Sequence, residues 1–371
     1  MGARRSLRRG AVPVTGDSLP AGRAVFTYGG VMSSSQTVTI PNTMHAIRVS
    51  HTGGADVLEY KDDVPVPQPA PGEVLVKIDA AGVNYIDTYF REGIYPTDMP
   101  YTPGVEGVGR IVAKGEDNGD ASSSGELSVG DRVAFYNTNC SYAEYAAVPA
   151  SAAVAIEDTI DDPTAASLMT QGITAHYLSD GCYSLGEGDT CVITAGSGGV
   201  GLLLTQMAKA RGATVISITS TEEKAQLSRD NGADYTINYD DYSPEKIREL
   251  TDGRGADVVY DGVGKTTFDT SIHSLRPTGT MVLFGAASGP VPPIDPQLLN
   301  EAGSVFLTRP SIKDWTSRPG ELQSRVQAVV GMVANGSVKF RIGGTFPLSE
   351  ARTAHEQLQA RKTTGSLVLI P

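Results

Sequence analysis

Between His45 and about residue 155 the apolar residues come in short runs broken by Gly, Pro and Asp. They are HAIRVS at 45–50, GEVLVKIDAAGVN at 72–84, GVGRIVAKG at 107–115, GDRVAF at 130–135 and AEYAAVP at 143–149. Runs this short, with no helical repeats between them, predict strands of a partly closed β-barrel in place of successive βαβ units. The polar stretch GEDNGDASSSGELSVGD at 115–131 predicts a solvated loop within it.

The period then changes. DDPTAASLMTQGITAHYL predicts a helix led in by Asp162 and Pro163, after which strands and helices alternate. Strands are expected at 189–195, 213–219, 234–239, 256–261, 280–285 and 303–308, and helices at 202–212, 222–233, 243–251, near 266–275 and at 321–336. Buried strands separated by helices require a parallel sheet covered on both faces, so residues 165–335 are expected to form a Rossmann-type α/β domain. The helix SEARTAHEQLQ and the strand in TGSLVLIP then lead back, which would make the first domain discontinuous: 44–164 together with 336–371.

A chain of 371 residues is long enough for two such domains. Its net charge of −12 argues against a nucleic-acid or anionic-membrane surface as its main business. Residues 1–43 carry Arg4, Arg5, Arg8, Arg9 and Arg23 against Asp17 alone, so the rest of the chain carries −16. That arginine-rich, acid-poor leader is expected to be disordered or an organelle-targeting peptide. The cytoplasm is the expected compartment, or an organelle if the leader is a targeting signal. No run of 18 apolar residues predicts a membrane span. Cys140, Cys182 and Cys191 match neither a disulfide framework nor a zinc site, and His45, His51, His176, His273 and His355 are scattered, so no metal is expected.

Gly196, Gly198 and Gly201 satisfy G-x-G-x-x-G, a weak signal alone. Here it lies between an apolar strand and a helix, the context in which it binds a dinucleotide. Gly196 is expected to permit the tight turn, Gly198 to let the backbone approach a pyrophosphate, and Gly201 to allow close helix packing. The helix N-terminus adds free N–H groups and the positive end of its dipole. Where an NAD site commonly ends its second strand in an acid, this chain has Thr219, Ser220 and Thr221. Those hydroxyls do not repel a 2′-phosphate and Lys224 could pair with it, although Lys224 could equally be solvated and Glu222 and Glu223 would oppose the phosphate if they faced it. NADPH is the expected cofactor. Candidate donors to a polarised acceptor gather at 80–96, where Asn84, Tyr89 and Tyr95 supply an amide and two phenols, and Arg91 a charge.

AGVNYIDTYFREGIYP, PGVEGVGRI, AGSGGVG, EEKAQ, INYDD, VVYDGVG, LFGAASG, LTRPS and ARKTTGSLVLIP together resemble the quinone oxidoreductase or zeta-crystallin-like branch of the medium-chain dehydrogenase/reductase superfamily. The resemblance spans residues 44–371. It implies a GroES-like catalytic domain beside the Rossmann domain, NADPH as cofactor, a homodimer, and hydride transfer to quinones or other electron-poor carbonyls without zinc. It also places Asn84 beside the nicotinamide and Tyr89 and Tyr95 in the acceptor pocket. Gly198, Gly199 and Val200 would hold the pyrophosphate, and Lys224, Tyr239 and Arg361 the adenosine ribose and 2′-phosphate. Val263, Phe284, Gly285, Leu307 and Arg309 would contact the nicotinamide and nearby groups. Zinc alcohol dehydrogenases of the wider superfamily carry G-H-E where this chain reads Gly104-Val105-Glu106, and a four-cysteine lobe where it has the Ser/Gly-rich loop. Two alternatives stay open: an NADPH-dependent reductase of alkenal or enone double bonds, and an NADPH-binding structural or RNA-binding protein, which the acidic charge does not favour.

Overall fold

A computed structural model of the chain describes residues 39–116, 127–136 and 139–371. The leader, apart from its last residues, and most of the loop expected at 115–131 lie outside the described residues.

The strand Thr43–Arg48 pairs antiparallel with Glu59–Pro65. The second of these reads EYKDDVP and is largely exposed, so no apolar alternation marks it. A seven-stranded sheet follows, centred on the eleven-residue strand Glu73–Val83. Along one edge that strand pairs with Glu106–Lys114; along the other it pairs first with Tyr145–Pro149 and then with Ser366–Ile370. Arg132–Tyr136 and Ala153–Ala155 extend the sheet on one side. On the other side Ile342–Pro347 lies parallel to Ser366–Ile370, so the end of the described chain is built into the first sheet. Ile342–Pro347 was not expected as a strand: IGGTFP is half glycine and threonine, and only a parallel neighbour supplies its partners.

The second sheet has six parallel strands in the spatial order Tyr235–Asn238, Thr214–Thr219, Thr190–Ile193, Ala256–Asp261, Leu275–Leu283, Phe306–Thr308. Numbered by sequence this is 3-2-1-4-5-6, the doubly wound order whose reversal point opens a crevice at the carboxyl ends of the strands. Every residue of Thr190–Ile193 and Ala256–Asp261 is buried, as helices on both faces demand. The helices Gly199–Ala210, Glu222–Asp230, Pro244–Glu249 and Phe268–His273 fall where the sequence predicts them. The helix expected from residue 162 is not regular. Asp161, one residue earlier than expected, caps Asp162–Ser167 by accepting from the Thr164 N–H, and the run then widens into π-type turns at Leu168–Gly172 and Leu178–Cys182, on either side of Ile173–Tyr177. One apolar cluster runs from Ala80, Val108 and Ala134 of the first sheet through Leu168, Met169 and Ile173 to Ile193 and Val258 of the second.

Candidate active site

A cleft of about 580 Å³ runs along the carboxyl ends of the parallel strands, with the first sheet's strand Glu73–Val83 contributing its far wall. The glycine-rich turn forms the cleft floor at its middle. Ala195 takes the left-handed conformation, with φ 52°, so the sharp turn falls on alanine and not on Gly196. Gly196 is required for packing instead: a Cβ there would sit 1.7 Å from Ser217 Oγ. At Gly201 a Cβ would lie 2.4 Å from the Ala195 carbonyl oxygen, consistent with close helix packing. Gly198, Gly199, Val200 and Gly201 line the cleft, and the helix beginning at Gly199 leaves its first N–H groups without intrahelical acceptors. A dinucleotide pyrophosphate fits this cradle: its floor carries no side chain at Gly198 or Gly199, and at Gly199 a Cβ would meet Gln171 Oε1 at 1.7 Å.

At one end of the cleft lie Thr219, Ser220, Lys224, Tyr239 and Arg361. Thr219 is buried at its strand end, and no acid takes its place. Lys224 Nζ donates to the Arg361 carbonyl oxygen at 2.5 Å, and neither cation forms an ion pair among the described residues. Burial, then the neighbouring Arg361, lowers the Lys224 pKa, a repulsion that a bound anion would relieve. Glu222 is engaged by Arg229 and does not line the cleft, nor does Glu223. Tyr239 Oη accepts the Ala195 N–H at 2.7 Å, and burial raises its pKa to about 12, so it remains a phenol with its own hydrogen to donate.

At the other end Asn84 is the hub. It precedes the helix Tyr85–Arg91, and its backbone N–H donates to Asp87 Oδ2 at 2.7 Å. Its side-chain Nδ2 donates to Glu106 Oε1 at 2.7 Å, while Oδ1 accepts from Gln171 Nε2 at 3.1 Å. Glu106 Oε2 accepts the Thr170 N–H, and Gln171 Oε1 accepts from Ser366 Oγ, each at 2.7 Å. The π-type turn around Thr170 and Gln171 is what brings those two groups inward. Glu106 is fully buried, and burial raises its carboxyl pKa to about 8 despite the two hydrogen bonds it accepts. The amide of Asn84 is thereby oriented, with one of its N–H groups committed to Glu106.

Behind Asn84 runs a second buried chain. Arginine can only donate, so Arg91 Nη1 at 3.1 Å makes His355 Nδ1 an acceptor; the ring's Nε2–H then donates to Tyr142 Oη, and Tyr142 donates to Asp87 Oδ2, both at 3.0 Å. Burial and the Arg91 charge hold His355 neutral, with a pKa lowered to about 3, and burial raises Asp87 to about 7. Arg91 itself is fully buried, so the structure assigns it to this scaffold and not to the cleft, contrary to its place among the candidate donors.

Tyr89 and Tyr95 meet edge to face at 5.5 Å and both line the cleft. Tyr89 Oη accepts the Ala286 N–H at 3.0 Å, and burial raises its pKa to about 12. Val263, Phe284, Gly285 and Arg309 also line this end, with Arg309 Nη1 donating to the Phe284 carbonyl oxygen at 2.9 Å. Asp261 fixes the Val263 turn by accepting the N–H groups of Val263 and Gly264. Leu307 does not line the cleft: it packs, partly buried, against the apolar cluster that contains Ile272, Met281 and Val305. Gly196 likewise lies beneath the turn, against Ser217.

Sequence inspection missed Glu106, Thr170, Gln171 and Ser366, the groups that orient Asn84. Glu106 stands in a motif whose departure from the zinc pattern falls on its neighbour Val105, and Gln171 lies in a stretch that reads as plain helix. The residue beside Glu106, Val105, is buried and apolar, and both Glu106 oxygens are already engaged. Among the described residues no three His, Cys, Asp or Glu side chains come together as metal ligands, so these donors do not fit a zinc ion.

The family model of the alcohol dehydrogenase GroES-like domain matches residues 70–158, and that of the zinc-binding dehydrogenases matches residues 199–334. A quinone oxidoreductase of Pseudomonas aeruginosa is 40% identical over 328 residues, covering 88% of this chain and 99% of that protein. A 2-haloacrylate reductase of a Burkholderia species is 37% identical over 330 residues, covering 86% of this chain and 96% of that protein. A mycobacterial protein solved in complex with NADPH superposes with a TM-score of 0.84 at 47% identity, covering 88% of this chain and all of that one.

Proposed function

The chain belongs to the zinc-independent quinone oxidoreductase branch of the medium-chain dehydrogenase/reductase superfamily, and from that premise we propose that it is an NADPH-dependent reductase of quinones. NADPH, when bound, supplies the hydride. The observation that carries this reading is one continuous cleft with an acid-free Lys224/Arg361 end, a side-chain-free turn at its middle and a phenol-lined end beside Asn84. Lys224, Arg361 and Tyr239 would hold the 2′-phosphoribose, and the N–H groups of Gly199, Val200 and Gly201 the pyrophosphate. Val263, Phe284, Gly285 and Arg309 would flank the nicotinamide, excluding water from its reacting face. Asn84 and Tyr89 would orient the acceptor oxygen. Tyr89, whose oxygen accepts the Ala286 N–H and whose raised pKa keeps it a phenol, would donate a hydrogen bond to the acceptor oxygen.

Residues 44–164 with 336–371 would form the catalytic domain and 165–335 the nucleotide domain, a division supported by strand Ser366–Ile370 joining the first sheet. A homodimer would join through the strand Phe306–Thr308, which closes one edge of the parallel sheet and leaves Phe306 64% exposed. No helix among the described residues is long and apolar enough to cross a membrane, and the cytoplasm is the compartment we propose. Reduction of an activated carbon–carbon double bond is the second reading, favoured by the likeness to the 2-haloacrylate reductase.

Binding and turnover with NADPH and NADH, repeated in Lys224→Ala and Arg361→Ala, test the cofactor assignment. Each substitution is expected to weaken NADPH binding roughly 10- to 100-fold, the worth of a charge-assisted hydrogen bond, with little change for NADH. Equal binding of NADH in the parent protein would overturn it. Stopped-flow oxidation of NADPH by 1,4-benzoquinone and by a 2-alkenal separates the two acceptor readings.

A further inference from the structure

We propose that a second, apolar pocket beside the acceptor end of the cleft takes the hydrocarbon substituent of the acceptor, so that the preferred substrates are quinones bearing an alkyl or prenyl side chain. The inference rests on the quinone-reductase reading above and deepens it. The pocket measures about 270 Å³ and shares Tyr89, Tyr95, Gly285 and Arg309 with the main cleft, so it abuts the place where an acceptor would lie against the two phenols.

Beyond those shared residues its walls are hydrocarbon: Ile94, Leu283, Ala286, Pro290 and Val291. No carboxylate and no histidine lines it, and its one charged group, Arg309, has Nη1 committed to the Phe284 carbonyl oxygen. Such a space offers nothing to a polar substituent and favours an apolar one by the area it removes from water. Ile94 stands 46% exposed at this pocket, an aliphatic side chain whose burial is left to whatever enters.

The pocket is also built in advance. Tyr89 accepts the Ala286 N–H, and Tyr95 stands edge-on to both Tyr89 and Phe90, so the two rings shared by both spaces are each held by neighbours already in place. On the far side, the Ala287 and Ser288 N–H groups donate to the carbonyl oxygens of Gly262 and Val263, at 3.3 and 2.8 Å, pinning the segment that leads to Pro290 and Val291. A preformed wall does not have to be ordered on binding, so burial of the side chain is expressed as affinity. Each methylene buried is worth roughly a fourfold gain.

The test compares, at saturating NADPH, 2,3-dimethoxy-5-methyl-1,4-benzoquinone with the same ring carrying a five-carbon prenyl group at position 6. In the parent protein the prenylated quinone is expected to have a KM at least tenfold lower. Ile94→Trp, at an exposed position, fills the pocket and is expected to abolish that advantage while leaving KM and kcat for the unsubstituted ring within about twofold; Val291→Trp is a second plug should the first disturb folding. Absence of a prenyl advantage in the parent, or its survival in both plugged variants, would overturn the inference. Failure of both quinones to be reduced would instead sink the functional reading. The pocket is then decided by equilibrium dialysis of the prenylated quinone against the NADPH-loaded protein: binding weakened by the plugs supports it, and absent or unaffected binding refutes it.

Discussion

Glu106 accepts one hydrogen bond on each carboxylate oxygen, from Asn84 and from the Thr170 N–H, in a place solvent does not reach. Burial outweighs those two bonds and raises its pKa from 4.5 to about 8. A carboxyl raised on folding contributes most below its unfolded pKa, and that contribution is lost as pH rises through the folded value. The parent is therefore expected to lose a few kcal/mol of stability between about pH 4.5 and 8, with Asp87 adding a loss of the same sign. Glu106→Gln removes the Glu106 share and flattens the profile, while setting an amide donor against another donor at a cost of about 1–3 kcal/mol. Urea unfolding of both proteins at pH 5, 6.5 and 8 reads both effects, and parallel profiles would refute the assignment. None of this was legible from residue types. The glycine pattern could be read because it is local in sequence, whereas the setting of Asn84 comes from residues 106, 170, 171 and 366, which only the fold brings together.

Two of the helices along the cleft are tied together by the buried chain between them. Tyr85–Arg91 presents Tyr85 and Tyr89, and Ala351–Gln359 leads directly to Arg361. Arg91, His355, Tyr142 and Asp87 join them internally, and Tyr85 Oη donates to the Leu358 carbonyl oxygen at the cleft. Tyr142→Phe leaves the His355 Nε2–H without its acceptor and Asp87 without one donor. A loss of about 1–3 kcal/mol in urea unfolding is expected, and a change within error would mean that the chain is not sustaining the helices. The amphipathic helices over the parallel sheet were foreseeable from their period. Tyr85–Arg91 was not, because its inward face is made of Asp87, Thr88, Tyr89 and Arg91, residues that look like a polar loop until their partners are present. The strand Glu59–Pro65 escaped for the converse reason: its partner is a single edge strand and its side chains stay in water.

At the scale of the molecule the doubly wound sheet ends in an open edge, and an exposed aromatic on such an edge invites pairing with a second chain. If the homodimer forms there, Phe306→Lys is expected to convert it to monomer in analytical ultracentrifugation, with NADPH binding retained. A monomeric parent, or a variant that stays dimeric, would remove this edge as the interface. The division into a strand-rich first part and an alternating second part was visible in the hydrophobic period. The pairing of Ser366–Ile370 with Glu73–Val83 could be anticipated only as a returning tail, because register depends on a partner far away in the chain.

That pairing also sets an order of events. All six strands of the parallel sheet have been synthesised by Thr308, whereas Ala81 must wait for Leu369. On the ribosome the parallel sheet can therefore close first, and the first sheet holds an open strand edge until Ser366–Ile370 emerges. The loop at 361–365, which contributes Arg361 to the cleft and whose Gly365 N–H bonds the Ser197 carbonyl oxygen, arrives just ahead of that strand. Completion of the first sheet and completion of the Lys224/Arg361 end of the cleft go together, so a nascent chain cannot possess the full cleft before it possesses the strand Ser366–Ile370.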